Sequence, residues 1–105
     1  MSKIKIGDNN VIKQVRFTFD NGLDVSVIFG KGTYSSTRHI QTNSSEDVEI
    51  AIFNKNKFVT EKFYAIYMKE KIDDDVVGYV KVDELITLLA IIRDAVWDGG
   101  DEEWI

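Results

Sequence analysis

The sequence predicts an α+β fold: an antiparallel sheet of four to five strands, opened by a β-hairpin, with one C-terminal helix packed on one face. Three observations predict it. Apolar residues alternate with period two around Asp20-Asn21-Gly22, at Val15, Phe17 and Phe19 before it and at Leu23, Val25, Val27 and Phe29 after it. Near the C-terminus the period becomes helical, with Val82, Leu85, Ile86, Leu89, Ile92 and Val96 spaced mostly by three and four. The 105 residues contain no proline, so every backbone amide is available for pairing, in a chain long enough for one core and too short for two.

A short N-terminal segment, residues 3–6, suits an edge strand. The hairpin strands follow at about residues 11–19 and 23–29. A two-residue Asn-Gly loop would set Phe19 against Asp24, whereas a three-residue Asp20-Asn21-Gly22 loop pairs Phe19 with Leu23, Phe17 with Val25 and Val15 with Val27. The second register keeps all apolar residues on one face. It needs a left-handed residue at the last loop position, which Gly22 supplies without strain. Residues 30–47 are polar and rich in serine and threonine, a long connection that reads as a flexible flap or a functional loop.

A third strand runs over residues 48–53 and ends in the turn Asn54-Lys55-Asn56-Lys57. Residues 58–68 read as a fourth, with Phe63, Ala65 and Tyr67 on one face and Tyr64, Ile66 and Met68 on the other. A strand apolar on both faces is covered on both. One helix covers one side, so the other cover is a loop, an aromatic cluster or a second copy of the chain. The helix is expected over residues 82–97, ended by Gly99-Gly100. Glu84 sits where a capping-box glutamate would, but Lys81 is a poor N-cap, which leaves only the macrodipole benefit of Asp83 and Glu84. Leu88, Ile91 and Ala95 widen the apolar arc beyond one sheet face, toward a neighbouring loop or subunit. The domain is expected to span residues 1–98, with 99–105 as an acidic tail.

Composition is that of a soluble globular domain, with 44% hydrophobic and 30% charged residues. The absence of cysteine excludes disulfides, thiolate nucleophiles and cysteine-ligated metals. The first residues lack a secretory apolar run and no stretch is apolar enough to span a membrane, so a cytoplasmic location is expected. Net charge is −5, unevenly spread: residues 1–72 carry 11 Lys/Arg against 8 Asp/Glu, a net +3, and residues 73–105 carry 2 against 10, a net −8. The acid gathers in Asp73-Asp74-Asp75, at Asp83-Glu84, and at Asp98, Asp101, Glu102 and Glu103. Such asymmetry steers a basic partner toward one end of a molecule, although solubility and favourable charge at a helix N-terminus explain much of it.

No constellation identifies an enzyme. Gly30-Lys31-Gly32 has the wrong spacing for a Walker-type phosphate loop and no helical period follows it, so it reads as a strand-exit turn. His39 is the single histidine, without the acid partner of a triad or the ligands of a zinc site. Asp73-Asp74-Asp75 lacks the spacing of a calcium loop and reads as a solvated acidic turn. Neither a metal nor another cofactor is expected. Lysines and aromatics between Lys55 and Lys69 raise nucleic-acid binding, but the intervening acids and a pI near 4.8 argue against direct contact.

Four segments together resemble a family. Asn21-Gly22-Leu23-Asp24-Val25-Ser26-Val27, then Gly30 with Gly32-Thr33-Tyr34-Ser35, then Val48-Glu49-Ile50-Ala51, and finally Asp75-Val76-Val77-Gly78-Tyr79-Val80 before a helix, are similar to small uncharacterised proteins encoded by tailed bacteriophages. The likeness covers most of residues 12–95; the longer loop at 36–47 and the tail from Trp97 depart from the pattern. It implies an origin rather than a mechanism. With that origin, the expected role is a protein that binds and inhibits or redirects a bacterial host protein, such as a CRISPR-type nuclease, by steric and electrostatic occlusion. It is expected to act as a homodimer. Partner contacts are assigned to Asp73, Asp74, Asp75, Asp98, Asp101, Glu102, Glu103 and Trp104. The alternative is a nucleotide-type small-ligand binder using Lys31, Tyr34, Arg38 and His39 of the 30–47 loop.

Overall fold

The hairpin forms in the three-residue-loop register. In the computed structural model, which describes residues 1–97, the first strands are β1 (Ile4–Lys5), β2 (Ile12–Thr18) and β3 (Leu23–Gly30). Phe17 lies opposite Val25 and Val15 opposite Val27, and the Phe19 amide donates to Leu23 O at 2.9 Å. Gly22 occupies the left-handed position at φ +92°. Asn21 performs two further tasks from the loop. Its Oδ1 accepts the Leu23 amide at 3.1 Å, and its Nδ2 donates to the carbonyls of Ile92 and Ala95 at 2.8 and 2.9 Å.

β5 (Asp47–Asn54) pairs with β3, setting Ile52 beside Val25 and Ile50 beside Val27. Its other edge is shared by two short strands. β6 (Lys57–Phe58) takes the end at Phe53 and Asn54, and β7 (Val77–Lys81) takes the start, with a bulge between Val48 and Ile50. The main sheet therefore runs β2-β3-β5, with β6 and β7 beyond. β1 does not extend it as expected. It pairs instead with β4 (Ser44–Ser45) in a separate two-stranded sheet, and Ile4 and Ile6 pack against the core.

One face of the main sheet carries the core. Leu23, Val25, Val27 and Phe29 of β3 and Val48, Ile50 and Ile52 of β5 are fully buried, each worth about 1.5–3 kcal/mol. On the edge strand β2 the same face ends in a lysine. Lys13 is fully buried, and its Nζ donates to Asp8 O at 2.6 Å and to Asp8 Oδ1 at 2.7 Å. An inward lysine on an edge strand discourages another strand from adding there.

Residues 58–68 are the largest correction. Only Phe58 is extended, as the end of β6; beyond it α1 (Thr60–Phe63) leads directly into a π-helical turn, Tyr64–Met68. An apolar run with both parities filled fits a buried helix as well as a buried strand, and tertiary anchoring decides between them. Here the anchor is Thr60, whose Oγ1 accepts the Ile52 amide at 2.9 Å and fixes the chain to β5. Phe63 and Tyr67, four residues apart, then stack at 4.8 Å. Phe63 and Tyr64 join the same core as the sheet. The segment read as needing a second cover is itself part of the first.

α2 (Val82–Asp94) buries Val82, Leu85, Leu88 and Ile92, so the buried stripe is rotated from the one expected. Ile86 is 62% exposed and Val96 89% exposed, while Leu88 and Ala95 are buried in the core. The wide arc had room for both stripes; α1 and the π-helical turn select the one nearer Tyr64. Ile91 and Ala95 border an open apolar groove beside Tyr67. α2 also stops earlier than expected, at Asp94, where Asn21 takes its terminal carbonyls. Gly99-Gly100 and the proposed tail 99–105 lie outside the described residues. Glu84 contributes more than macrodipole charge, since its carboxylate accepts the Lys81 amide at 3.3 Å, the glutamate half of a capping box.

The 30–47 connection is no open flap. Gly30 (φ +110°) turns the chain where an added Cβ would meet Val11 O at 2.6 Å. The buried hydroxyls of Thr33, Ser35 and Thr37 then form a chain at 2.8 and 2.9 Å, ending on the Gly30 amide at 2.9 Å. Alternate loop residues thus turn inward and satisfy one another.

Two predictions test these anchors. Asn21→Ala lowers the urea-unfolding free energy by about 1–3 kcal/mol through loss of the helix cap; a change within about 0.5 kcal/mol contradicts that role. The hydrogen bond from Lys13 holds the Asp8 carboxyl below its usual pKa. A depressed folded pKa gives stability that is full above the unfolded value, near about 3.9, and is lost as pH falls through the folded one. Asp8→Asn therefore flattens the fall in urea midpoint below about pH 4; an unchanged slope counts against the pair.

Candidate functional site

Both helices contribute their buried residues to the single core on one face of the sheet, which leaves the opposite face to be accounted for. The register sets out that outer face in rows. Gln14, Ile28 and Glu49 form one; Arg16, Ser26 and Ala51 the next; Thr18, Asp24, Phe53 and Phe58 the last. Ser26 and Ala51 of the middle row are buried, and Gln14 Nε2 donates to Ser26 Oγ at 3.1 Å. Around that row stand larger groups. The Arg16 guanidinium lies 4.6 Å over the Phe53 ring and 3.8 Å from Asp24 Oδ2. Phe53 and Phe58 pack at 4.6 Å, and Phe58 remains 50% exposed. Ile12, at the far corner of β2, is also exposed.

The 30–47 connection closes the other end of this face. The Tyr34 amide donates to Glu49 Oε1 at 2.8 Å, and the Ser36 amide to Asp47 Oδ1 at 2.7 Å. Tyr34 also lies against β7: a Cβ added to Gly78 would come within 2.6 Å of Tyr34 Cβ. The next residue, Tyr79, holds φ +56° and donates its amide to Tyr34 O at 2.9 Å. A non-glycine residue in that region costs of order 1–3 kcal/mol, so the strain gathers at this junction. The Gly-Thr-Tyr-Ser turn and the Gly-Tyr of β7 therefore meet in space, with Tyr34 and Tyr79 both exposed.

On the helix side of β7 lies a half-open cavity of about 190 Å³. Glu70 and Glu84 supply carboxylates from two elements, Met68, Val80 and Leu88 supply apolar wall, and Tyr64 closes the inner end. Tyr64 is only 5% exposed. Tyr67 donates its hydroxyl to Val96 O at 2.7 Å, but the Tyr64 hydroxyl has no hydrogen-bond partner among the described residues. Burial, with the charges of Glu70 and Glu84 behind it, pushes the Tyr64 phenol up to about 12. The cavity lining includes backbone that sequence patterns do not reveal: Tyr64 and Met68 of the π-helical turn and Tyr79 at φ +56°.

The residues expected to form sites are placed as follows. Asp73, Asp74 and Asp75 form an exposed turn in which Asp74 Oδ1 accepts the Asp75 amide at 2.7 Å. Asp98, Asp101, Glu102, Glu103 and Trp104 lie outside the described residues. Asp83 and Glu84 sit at the opposite end of α2 from Asp94, about 15 Å apart along the axis, so the described acids of the C-terminal third do not form one patch. In the loop, the Arg38 guanidinium lies 5.3 Å over the Tyr34 ring, while Lys31 and His39 are exposed. Among the described residues, no three His, Asp or Glu side chains gather as a metal site, and no helix is long and apolar enough to cross a membrane.

No family model matches the chain, and neither the curated proteins nor the solved structures provide a match.

The perturbed phenol has a measurable consequence. A tyrosine whose folded pKa lies above its unfolded value of about 10 stabilises the protein fully below that pH, and the contribution is lost as pH rises toward about 12. Tyr64→Phe removes part of the alkaline loss of stability between these values. An alkaline limb identical in both proteins contradicts the burial and charge assigned to Tyr64.

Proposed function

We propose that this chain is a small binding protein, an accessory factor of tailed-phage type, which occupies a surface of a bacterial host protein and so inhibits or redirects it. The observation that carries the reading is the aromatic end of the outer sheet face, where Phe58 is 50% exposed. It combines an aromatic pair (Phe53 and Phe58) with a guanidinium already stacked on one of them (Arg16). Aromatic residues, phenylalanine included, and arginine are enriched at the cores of protein–protein interfaces. The ordered motifs shared with phage proteins support the origin, and host-defence or nucleic-acid-processing factors are the corresponding class of target. Electrostatic occlusion is proposed for the acids of residues 98–105 alone, since the described acids of the C-terminal third do not form one patch. A second copy of the chain is the competing occupant of the same face, giving a homodimer.

Affinity purification of the tagged protein from bacterial lysate, with light scattering of the protein alone, tests the reading. The wild-type chain retains one host protein stoichiometrically, and Phe58→Asp reduces retention at least about tenfold, the equivalent of about 1.4 kcal/mol. Equal retention by both proteins, or none by either, overturns it. A dimer in light scattering that Phe58→Asp dissociates assigns the face to self-association instead.

A further inference from the structure

The cavity beside β7 carries an inference separate from the sheet face. Two carboxylates from different elements, Glu70 after the π-helical turn and Glu84 in the first turn of α2, border it together with the Tyr64 phenol. The ion pairs among the described residues are Asp8–Lys13, Arg16–Asp24 and Arg93–Asp94, and none of them engages Glu70 or Glu84. Among the described residues the Glu84 carboxylate accepts one hydrogen bond, from the Lys81 amide at 3.3 Å. The Tyr64 side chain is 5% exposed, and its hydroxyl lacks a partner among the described residues. The hydroxyl oxygen itself is not sealed from solvent, so it is open to the cavity that Tyr64 lines, with its hydrogen-bonding capacity unused by the described residues.

From this arrangement, we infer that the cavity is a socket for a guanidinium on an aliphatic stem, which sets its planar donors against Glu70, Glu84 and the Tyr64 oxygen.

Size and chemistry select that class. About 190 Å³ is below the roughly 300–1,000 Å³ of pockets for whole small ligands, so the occupant is the size of one side chain rather than a nucleotide. Two separated acceptors and a neutral phenol suit a flat group with five fixed donors better than the compact, strongly hydrated ammonium. Met68, Val80 and Leu88 give methylene groups an apolar wall, which a hydrated metal ion would not use. Tyr79 stands at the mouth, half exposed, where its ring can lie along the stem. The strained Tyr79 backbone and the π-helical turn, both uncommon and both recurrent at functional sites, frame this one cavity.

Amide-resolved NMR titration of the full chain tests the socket, with N-ethylguanidinium as probe and N-ethylurea as its uncharged counterpart. The guanidinium produces saturable millimolar shifts at Tyr64, Gly78 and Leu88, and the urea does not. Glu70→Gln, an exposed substitution, weakens binding at least about fivefold while leaving the spectrum folded. Glu84→Gln keeps an acceptor for the Lys81 amide and weakens it likewise. Shifts equal for both probes, shifts absent from these residues, or affinity unchanged in both variants overturn the assignment. Acetyl-arginine amide separates the sources: binding identifies a protein side chain as occupant, and its exclusion while N-ethylguanidinium binds identifies a free small molecule. Phe58→Asp leaves this titration unchanged, so the socket and the sheet-face reading fail independently.

Discussion

One residue of loop length governs the architecture. The turn Asp20-Asn21-Gly22 holds three residues, which makes the odd-numbered positions of β2 and β3 share a face. A two-residue turn would move every side chain of one strand to the other side of the sheet. Gly22 makes the longer turn possible through its left-handed backbone, and Asn21 extends the turn's influence to the helix by taking the carbonyls of Ile92 and Ala95. The same tripeptide thus sets strand parity and locates the end of α2.

The one-sided core follows from that parity. With Leu23, Val25, Val27 and Phe29 on one face, β5 answers with Val48, Ile50 and Ile52, and both helical segments gather over them. Thr60 is decisive here, because its hydroxyl draws residues 60–68 back over the sheet they would otherwise have extended. The outer face then keeps only its side chains and the anchored end of the 30–47 connection as cover. Phe53, Phe58 and Arg16 consequently lie on a rigid sheet rather than on a loop, which restricts their motion before any partner arrives.

The hairpin was legible in the sequence because its signals are local: parity on either side of a glycine-ended turn admits one register that puts all seven apolar residues on the core face. α2 was legible as a helix for the same reason. Its buried stripe was not, since Ile86 and Leu88 are equally apolar and only the position of the π-helical turn chooses between them. Residues 58–68 were misread because Phe63 to Met68 fill both parities. The spacing of Phe63 and Tyr67, together with a threonine and a glutamate at residues 60 and 61, was the available hint of a helix. The cavity could not be read at all. Its lining draws on a π-helical turn and on the left-handed Tyr79, neither of which leaves a compositional trace. Acid concentrated in the last third of the sequence likewise did not translate into one patch, because α2 separates its two ends.

Cross-strand nuclear Overhauser contacts between Hα protons of the hairpin test the governing constraint most directly. Phe19 and Leu23 form a hydrogen-bonded pair, so the alternation of an antiparallel ladder brings Hα protons together at the non-hydrogen-bonded pairs Thr18–Asp24 and Arg16–Ser26. Strong contacts at those two pairs are the result the account predicts. Contacts instead linking Phe19 with Asp24 and Phe17 with Ser26 would establish the two-residue turn, and with it a different core, a different open face and a helix end that Asn21 does not reach.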